Sequence, residues 1–127
     1  GHYMSDILEP YYYNFLRVES NKSMAMASKE YYKGYRMIPY YLDNKASFNL
    51  NAQYSTIKGV IGLDDTHNSS DAVVTIYADD SVLKKIELPK GCLPKELDLD
   101  VGGVLKLDID VYASNSTYVQ LCDLIIE

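Results

Sequence analysis

The sequence contains no tryptophan, two cysteines and two histidines, and one of these histidines, His2, follows Gly1 in what reads as a cloning remnant. The remaining histidine, His67, lies beside Asn68 and Ser69 in a polar segment, where we expect a solvated side chain rather than a general base. Cysteine and histidine are too few and too scattered for a zinc site. A glycine-rich phosphate loop is also missing. These absences predict a chain that is not an enzyme.

Positive charge is scarce as well: twelve Lys and Arg stand against eighteen Asp and Glu, for a net charge of −6 at pH 7. An acidic surface repels phosphate backbones and anionic headgroups. No apolar run approaches the roughly 20 residues of a membrane span. The sequence shows no basic segment followed by an apolar segment, which is the pattern of a signal peptide. We therefore predict no nucleic-acid partner and no membrane insertion.

The two cysteines lie thirty positions apart and do not form a disulfide framework. Cys122 stands in an apolar run, which is typical of a small buried hydrophobic residue. Cys92 follows a glycine in a predicted turn. The sequence favours two free thiols over a disulfide.

No window of a dozen residues has the 3.6-residue period of a helix, whereas alternation with a period of two is common. Residues 72–77 and 82–88 flank two aspartates and predict a hairpin. About eight or nine such short strands predict one all-β domain over residues 3–127, an antiparallel β-sandwich closed as a jelly roll. Six residues of two alternating strands are expected to face its core: Leu97, Leu99, Leu105, Leu107, Ile109 and Val111. Four acids between them predict one solvent-facing acidic surface on neighbouring strands: Asp98, Asp100, Asp108 and Asp110.

Residues 64–71 form a predicted loop rich in Asp, Asn and Ser. Asp64, Asp65 and Asp71 supply the hard oxygen ligands that calcium prefers, and they are a candidate calcium site. The alternative is ordinary turn formation by Asx residues on a solvated surface. If calcium binds there, saturating calcium should raise the melting temperature and a chelator should reverse the rise. No other cofactor is predicted.

Tyrosine is abundant: the chain has thirteen, and eight of them lie between positions 11 and 41. A tyrosine ring can stack on the C–H face of a sugar while neighbouring Asn and Asp side chains bind its hydroxyls. The candidate ligand-binding residues are Tyr31, Tyr35, Tyr40, Tyr41 and Asn44. The alternative is that these rings fill strand positions and close the ends of the sandwich.

Five segments in chain order carry a resemblance to a known family. They are residues 3–7 (Tyr-Met-Ser-Asp-Ile), 28–34 (Ser-Lys-Glu-Tyr-Tyr-Lys-Gly), 48–65 (with Phe-Asn-Leu and Gly-Val-Ile-Gly-Leu-Asp-Asp), 76–83 (Ile-Tyr-Ala-Asp-Asp-Ser-Val-Leu) and 97–107 (Leu-Asp-Leu-Asp-Val-Gly-Gly-Val-Leu-Lys-Leu). In this succession they resemble the NPCBM family of carbohydrate-binding modules. That family has a galactose-binding-like jelly-roll fold.

The resemblance implies an accessory module, extracellular or on the cell surface, attached to a glycoside hydrolase or another secreted bacterial protein. Its implied partners are a galactose-type glycan and the other domains of the parent protein. The family often has a histidine shortly after the pair that matches Lys33-Gly34 and a tryptophan in its closing strand, and this sequence has neither. A second hypothesis therefore stays open: a structural, protein-interaction or adhesion sandwich that binds no glycan.

Overall fold

The computed structural model describes residues 1–127 and contains thirteen β-strands and one short helix. In chain order these are β1 (His2–Tyr3), α1 (Met4–Ile7), β2 (Tyr12–Asn14), β3 (Leu16–Ser20), β4 (Met24–Met26), β5 (Lys29–Tyr31), β6 (Gly34–Pro39), β7 (Asp43–Asn49), β8 (Thr56–Asn68), β9 (Ala72–Ala78), β10 (Ser81–Leu88), β11 (Lys95–Asp100), β12 (Lys106–Tyr112) and β13 (Thr117–Ile126). The count exceeds the predicted eight or nine because β1, β2, β4 and β5 are only two or three residues long, too short to show a period of two. The helix is far too short to cross a bilayer, and no other helix is present.

Two antiparallel sheets face each other. One has the order β11-β8-β13-β6-β3, with β1 added beside β13, and the other has the order β10-β9-β12-β7-β2. Strands β4 and β5 form a separate hairpin. The predicted antiparallel sandwich of the jelly-roll class is thus confirmed, and so is the hairpin of β9 and β10.

Between the sheets lies one core of 27 buried residues. Strand β12 supplies Leu107, Ile109 and Val111 to it, and β11 supplies Leu97 and Leu99, as the alternation predicted. The prediction for Leu105 is wrong, because this side chain is 58% exposed. The turn at Gly103 (φ 74°) continues through Leu105, so that β12 begins only at Lys106 and its inward positions start at Leu107.

The predicted acidic surface does not form on neighbouring strands. Strand β11 is the edge of one sheet, whereas β12 is the central strand of the other. Asp98 and Asp100 are exposed on the first, and Asp108 is buried and Asp110 partly buried on the second. A period of two gives the face of a strand but not the identity of its neighbour, which explains the error.

The β4–β5 hairpin covers part of the outer side of the first sheet. Met24, Met26 and Tyr31 pack there on Cys122 in a second, smaller hydrophobic cluster. Gly62 lies beneath this hairpin, and a Cβ added there would be 2.9 Å from Sδ of Met26 and 3.2 Å from Cα of Pro94. Glycine at this position allows the close approach of the hairpin to the sheet.

Both chain termini lie at one end of the sandwich. His2 pairs with Ile126, and the amino group of Gly1 is 3.8 Å from Oε1 of Glu127. The antiparallel register puts five connections at the opposite end, which we call the loop end: Phe15 between β2 and β3, and residues 40–42, 69–71, 89–94 and 113–116.

Candidate functional site

Hydrogen bonds from backbone N–H groups join neighbouring connections across the loop end. The Ala113 N–H donates to the carbonyl of Leu42 at 3.2 Å, and the Ser114 N–H donates to Oγ of Ser70 at 3.1 Å. The Lys90 N–H donates to Oδ1 of Asp71 at 2.7 Å. These bonds tie the connections to one another and give the loop end a defined surface.

Four aromatic side chains are exposed together at this end. Tyr13, Phe15, Tyr40 and Tyr41, which we call the aromatic surface, are 57%, 53%, 56% and 61% exposed. The rings of Phe15 and Tyr41 meet edge to face, with centroids 4.7 Å apart at 85°. Tyr13, Phe15 and Tyr40 also line a shallow depression of about 320 Å³ with Arg17. The surface combines rings that can stack with a guanidinium that can donate hydrogen bonds.

Asn44 holds the turn that carries Tyr40 and Tyr41. Its Oδ1 accepts from the N–H groups of Tyr40 at 3.3 Å and Tyr41 at 3.1 Å, and its Nδ2 donates to the carbonyls of Tyr41 and Val111. The Asn44 side chain is buried. Asn44 therefore positions the turn of the aromatic surface, and direct contact of Asn44 with a ligand stays a prediction.

The structure corrects two of the predicted ligand-binding tyrosines. Tyr35 is fully buried: its ring packs on Phe48 with centroids 5.2 Å apart, and its hydroxyl donates to the Leu8 carbonyl at 2.6 Å. Burial, reinforced by the Glu9 carboxylate, raises the pKa of Tyr35 well above its usual value. Tyr31 is buried beneath the β4–β5 hairpin. Neither ring can stack on a ligand, whereas Tyr40 and Tyr41 can.

Sequence reasoning missed Tyr13 and Phe15 as members of this surface. The three consecutive tyrosines at positions 11–13 did not predict a strand or a helix. Tyr13 joins this surface only because β2 pairs with β7, which places Tyr13 opposite Ala46. Phe15 adopts a left-handed backbone conformation with φ 53°. A bulky residue in that conformation marks a chain reversal that the sequence does not signal.

The three candidate calcium ligands have separate partners. Asp64 accepts from Thr66 and contacts Nδ1 of His67 at 2.8 Å, while the two oxygens of Asp65 accept from the Ala27 and Ser28 N–H groups at 2.7 and 2.9 Å. Asp71 accepts from the Lys90 N–H. No three Asp, Glu, His or Cys side chains converge as a metal site here or elsewhere in the chain. Calcium binding at Asp64, Asp65 and Asp71 stays a prediction, and it would require these carboxylates to exchange partners.

The predicted loop 64–71 is shorter than expected, because β8 continues through Asn68. In its pairing with β13, Leu63 lies opposite Val119 and Asn68 lies opposite Thr117. Four residues of β8 therefore bulge opposite the single residue Tyr118. His67 stacks on this Tyr118 ring, with centroids 4.0 Å apart and planes 5° from parallel, and is not a free loop side chain. Asp64 and Thr66 both contact the same ring nitrogen, Nδ1. A nucleophile–histidine–acid relay needs both ring nitrogens, and this group does not supply that arrangement.

The sequence matches the NPCBM/NEW2 domain over residues 9–122. No curated protein matches it.

Solved structures share the fold at low identity. The CBM51-2 and INT domains of Clostridium perfringens ZmpB, in a complex with GlcNAc, have a TM-score of 0.79 and 14% identity, covering 97% of this chain and 30% of that one. The CBM51 of Clostridium perfringens GH95, in a complex with methyl-galactose, has a TM-score of 0.79 and 12% identity, covering 99% of both chains. The tandem CBM51 modules of the family 98 glycoside hydrolase of Streptococcus pneumoniae have a TM-score of 0.80 and 13% identity, covering 98% of this chain and 46% of that one. The chain thus spans less than a third of the ZmpB fragment that it resembles. With the family match over most of its length, it belongs to the NPCBM/NEW2 domain family.

Proposed function

We propose that this chain is the non-catalytic glycan-binding module of a larger secreted bacterial protein, and that its glycan is of the galactose type and contacts the aromatic surface. The observation that carries the proposal is the exposure of four aromatic rings on one rigid end of the sandwich, two of them on a turn clamped by a buried asparagine. The matched family points to the same class of function.

The physical basis is ring stacking. A pyranose has one face of C–H groups that packs on an aromatic ring, and its hydroxyls bind polar neighbours. The Asn44 clamp holds the backbone of Tyr40 and Tyr41 before a ligand arrives, which lowers the conformational entropy that this turn loses on binding. A shallow open surface of this kind should bind weakly, with Kd around 0.1–1 mM, or about −4 to −5.5 kcal/mol.

The ligand class and the setting rest on similar structures. The GH95 module was solved with methyl-galactose and the ZmpB module with GlcNAc. The ZmpB module lies beside INT domains, and the family 98 glycoside hydrolase carries its modules in tandem. These settings support an accessory role beside other domains of a parent protein outside the bacterial cell.

The test is a glycan array with the isolated chain, followed by titration of each hit. Tyr40→Ala and Tyr41→Ala should each raise Kd roughly 5- to 30-fold, equivalent to about 1–2 kcal/mol, without a matching loss of stability. Tyr32→Ala is the matched control, because Tyr32 is 63% exposed but lies at the β5–β6 turn, away from the aromatic surface. Equal losses in all three variants would contradict binding at the aromatic surface.

The alternative is a protein-interaction or adhesion domain. It is favoured by the missing tryptophan and by the missing histidine after Lys33-Gly34. An exposed aromatic surface also suits a protein partner. A blank array at millimolar glycan, together with a protein partner that is recovered by pull-down and lost in Tyr40→Ala, would establish this alternative.

A further inference from the structure

A second polar surface lies on the outer side of the five-stranded sheet, beside the loop end. Its centre is Asp110 of β12, which pairs with Lys45 of β7 on one side and with Thr75 of β9 on the other. Two shallow depressions of about 180 and 170 Å³ meet there, and Lys45 and Asp110 line both of them. Tyr77 lines the first and Asn14 the second.

Asp110 is incompletely satisfied in the folded chain. Its Oδ1 is shielded from solvent, yet no donor reaches it. Desolvation, with repulsion from Asp43 and Asp108, raises the pKa of this carboxyl above its usual value, although Lys45 opposes the shift. A carboxylate oxygen that has lost water without gaining a donor costs stability, and such an atom in a native protein needs an explanation.

Some charged side chains near Asp110 form ion pairs within the chain, and others do not. Lys106 binds Asp80 at 2.9 Å and lies 3.6 Å from Asp108, and Asp108 also accepts from the Ser47 hydroxyl. Lys45, by contrast, takes part in no ion pair. The surface therefore presents two carboxylates without an ion-pair partner, Asp110 and the exposed Asp43, beside one free donor, Lys45.

We infer that Asp110 and Lys45 form a second saccharide subsite on this sheet face, with the accessible Oδ2 of Asp110 accepting from one hydroxyl of a vicinal pair and Lys45 donating to the other hydroxyl oxygen. A sugar unit offers donors and acceptors at adjacent positions, which matches this pair. A metal ion fits less well, because no three metal-ligating side chains converge there. The inference rests on the proposed glycan-binding function and adds a second point of contact to it.

The test uses methyl galactoside and GlcNAc as separate probes, because each carries the vicinal 3,4-hydroxyl pair. Titration into the isotope-labelled chain should move amide signals at Lys45, Thr75 and Asp110, in addition to those at Tyr40 and Tyr41. Asp110→Asn and Lys45→Met should each weaken the sheet-face response about tenfold and leave the aromatic-surface response intact. Asp98→Asn is the matched control, since Asp98 is an exposed carboxylate on the other sheet.

The variants separate this inference from the proposed function. Tyr40→Ala should remove only the loop-end response. The second subsite is overturned if the sheet-face signals do not move, or if they move equally in Asp110→Asn, and a loop-end response would then still support glycan binding. If no signal moves at either surface, both the second subsite and the proposed function are overturned. A sheet-face response to calcium chloride or ammonium chloride that matches the response to sugar also overturns the inference, in favour of a cation site.

Folding of Asp110→Asn is checked by its melting temperature. This temperature should rise at pH 7 because an unsatisfied carboxylate is removed, and it should not rise at pH 3, where the carboxyl is protonated.

Discussion

At the residue scale, the tyrosines have two distinct roles. Tyr35 is a core residue whose hydroxyl finds the Leu8 carbonyl, whereas Tyr40 and Tyr41 extend into solvent from a clamped turn. The same side chain serves both places because it has an apolar ring and a polar tip. What separates the two roles is the backbone, and at Tyr40 and Tyr41 the backbone is held by one buried amide.

Replacing Asn44 with alanine should lower the free energy of unfolding by about 1–3 kcal/mol. The change leaves the Val111 carbonyl and the N–H groups of the turn without their side-chain partner. Denaturant unfolding measures the loss. Asn49→Ala, on the exposed side of the same strand β7, is the control and should cost far less. Equal costs would show that the clamp does not stabilise the fold.

Alkaline pH should destabilise the protein in part through Cys122. Burial raises the pKa of this thiol to about 12, whereas an unfolded cysteine has a pKa of about 8.5. The folded state therefore holds the thiol proton over a range in which the unfolded state has lost it. The resulting stability is complete below about pH 8.5 and is lost as pH rises toward 12, by at most about 1.4 kcal/mol per pH unit.

Denaturant unfolding at pH 7 and pH 10 measures this effect. Cys122→Ala should lose less stability between the two pH values than the wild type does. Cys92→Ala, which removes the half-buried thiol, should keep the wild-type dependence. Tyr35 contributes equally to all three proteins. Identical pH dependence in all three would contradict the prediction.

At the element scale, the β4–β5 hairpin is held on the sheet by packing and by hydrogen bonds, one of which runs from Nε2 of Gln120 to the Ala25 carbonyl at 3.3 Å. Its methionines pack on Cys122, and its tip is bound by both carboxylate oxygens of Asp65. Ala27 and Ser28 at the tip have φ of 49° and 65°, a conformation that the two accepted hydrogen bonds help to maintain. The hairpin thus covers Cys122, and Asp65 holds its tip.

Asp65→Ala should loosen this cover and expose the thiol beneath it. The measurable consequence is faster reaction of Cys122 with a thiol reagent under native conditions, assayed in a Cys92→Ala background so that one thiol remains. Asp98→Ala is the control, because Asp98 is an exposed acid with no partner on the hairpin. An unchanged rate in Asp65→Ala would mean that packing and the Gln120 hydrogen bond hold the hairpin without Asp65.

Elements with a long alternating pattern were predictable, and the others were not. Strands β9, β10 and β12 have seven or eight residues, enough for a period of two to appear. The end of β8 was missed because Asp64 to Asn68 have the composition of a loop, and only pairing with β13 makes them a strand. At the candidate site, the sequence singled out Tyr40, Tyr41 and Asn44, which the structure brings together and whose ligand contact stays a prediction. The exposure of Tyr31 and Tyr35 depends on which element folds over them, and that is tertiary information.

At the scale of the whole molecule, the two ends of the sandwich have different characters. The loop end carries the aromatic surface and the His67–Tyr118 stack, and the other end carries the termini. The core between them is continuous, so the loop end is supported by both sheets. This arrangement suits recognition by a preformed surface.

The isolated chain should turn over no glycoside, ester or peptide. His67 contacts both Asp64 and Thr66 through one nitrogen, and no second histidine lies at the loop end. Prolonged incubation with a broad substrate panel, followed by chromatography of products, measures this. Turnover that disappears in His67→Ala or Asp64→Ala would contradict the prediction.

The pairing of His2 with Ile126 has a consequence for chain connectivity. Since the two ends already touch, a short flexible peptide could join Glu127 to Gly1, and the chain could be opened instead at the exposed Gly102–Gly103 turn. Such a circular permutant would keep every strand pair of both sheets while changing the order in which the strands are synthesised. The spatial neighbours of each strand, rather than its position along the chain, are what the sandwich requires.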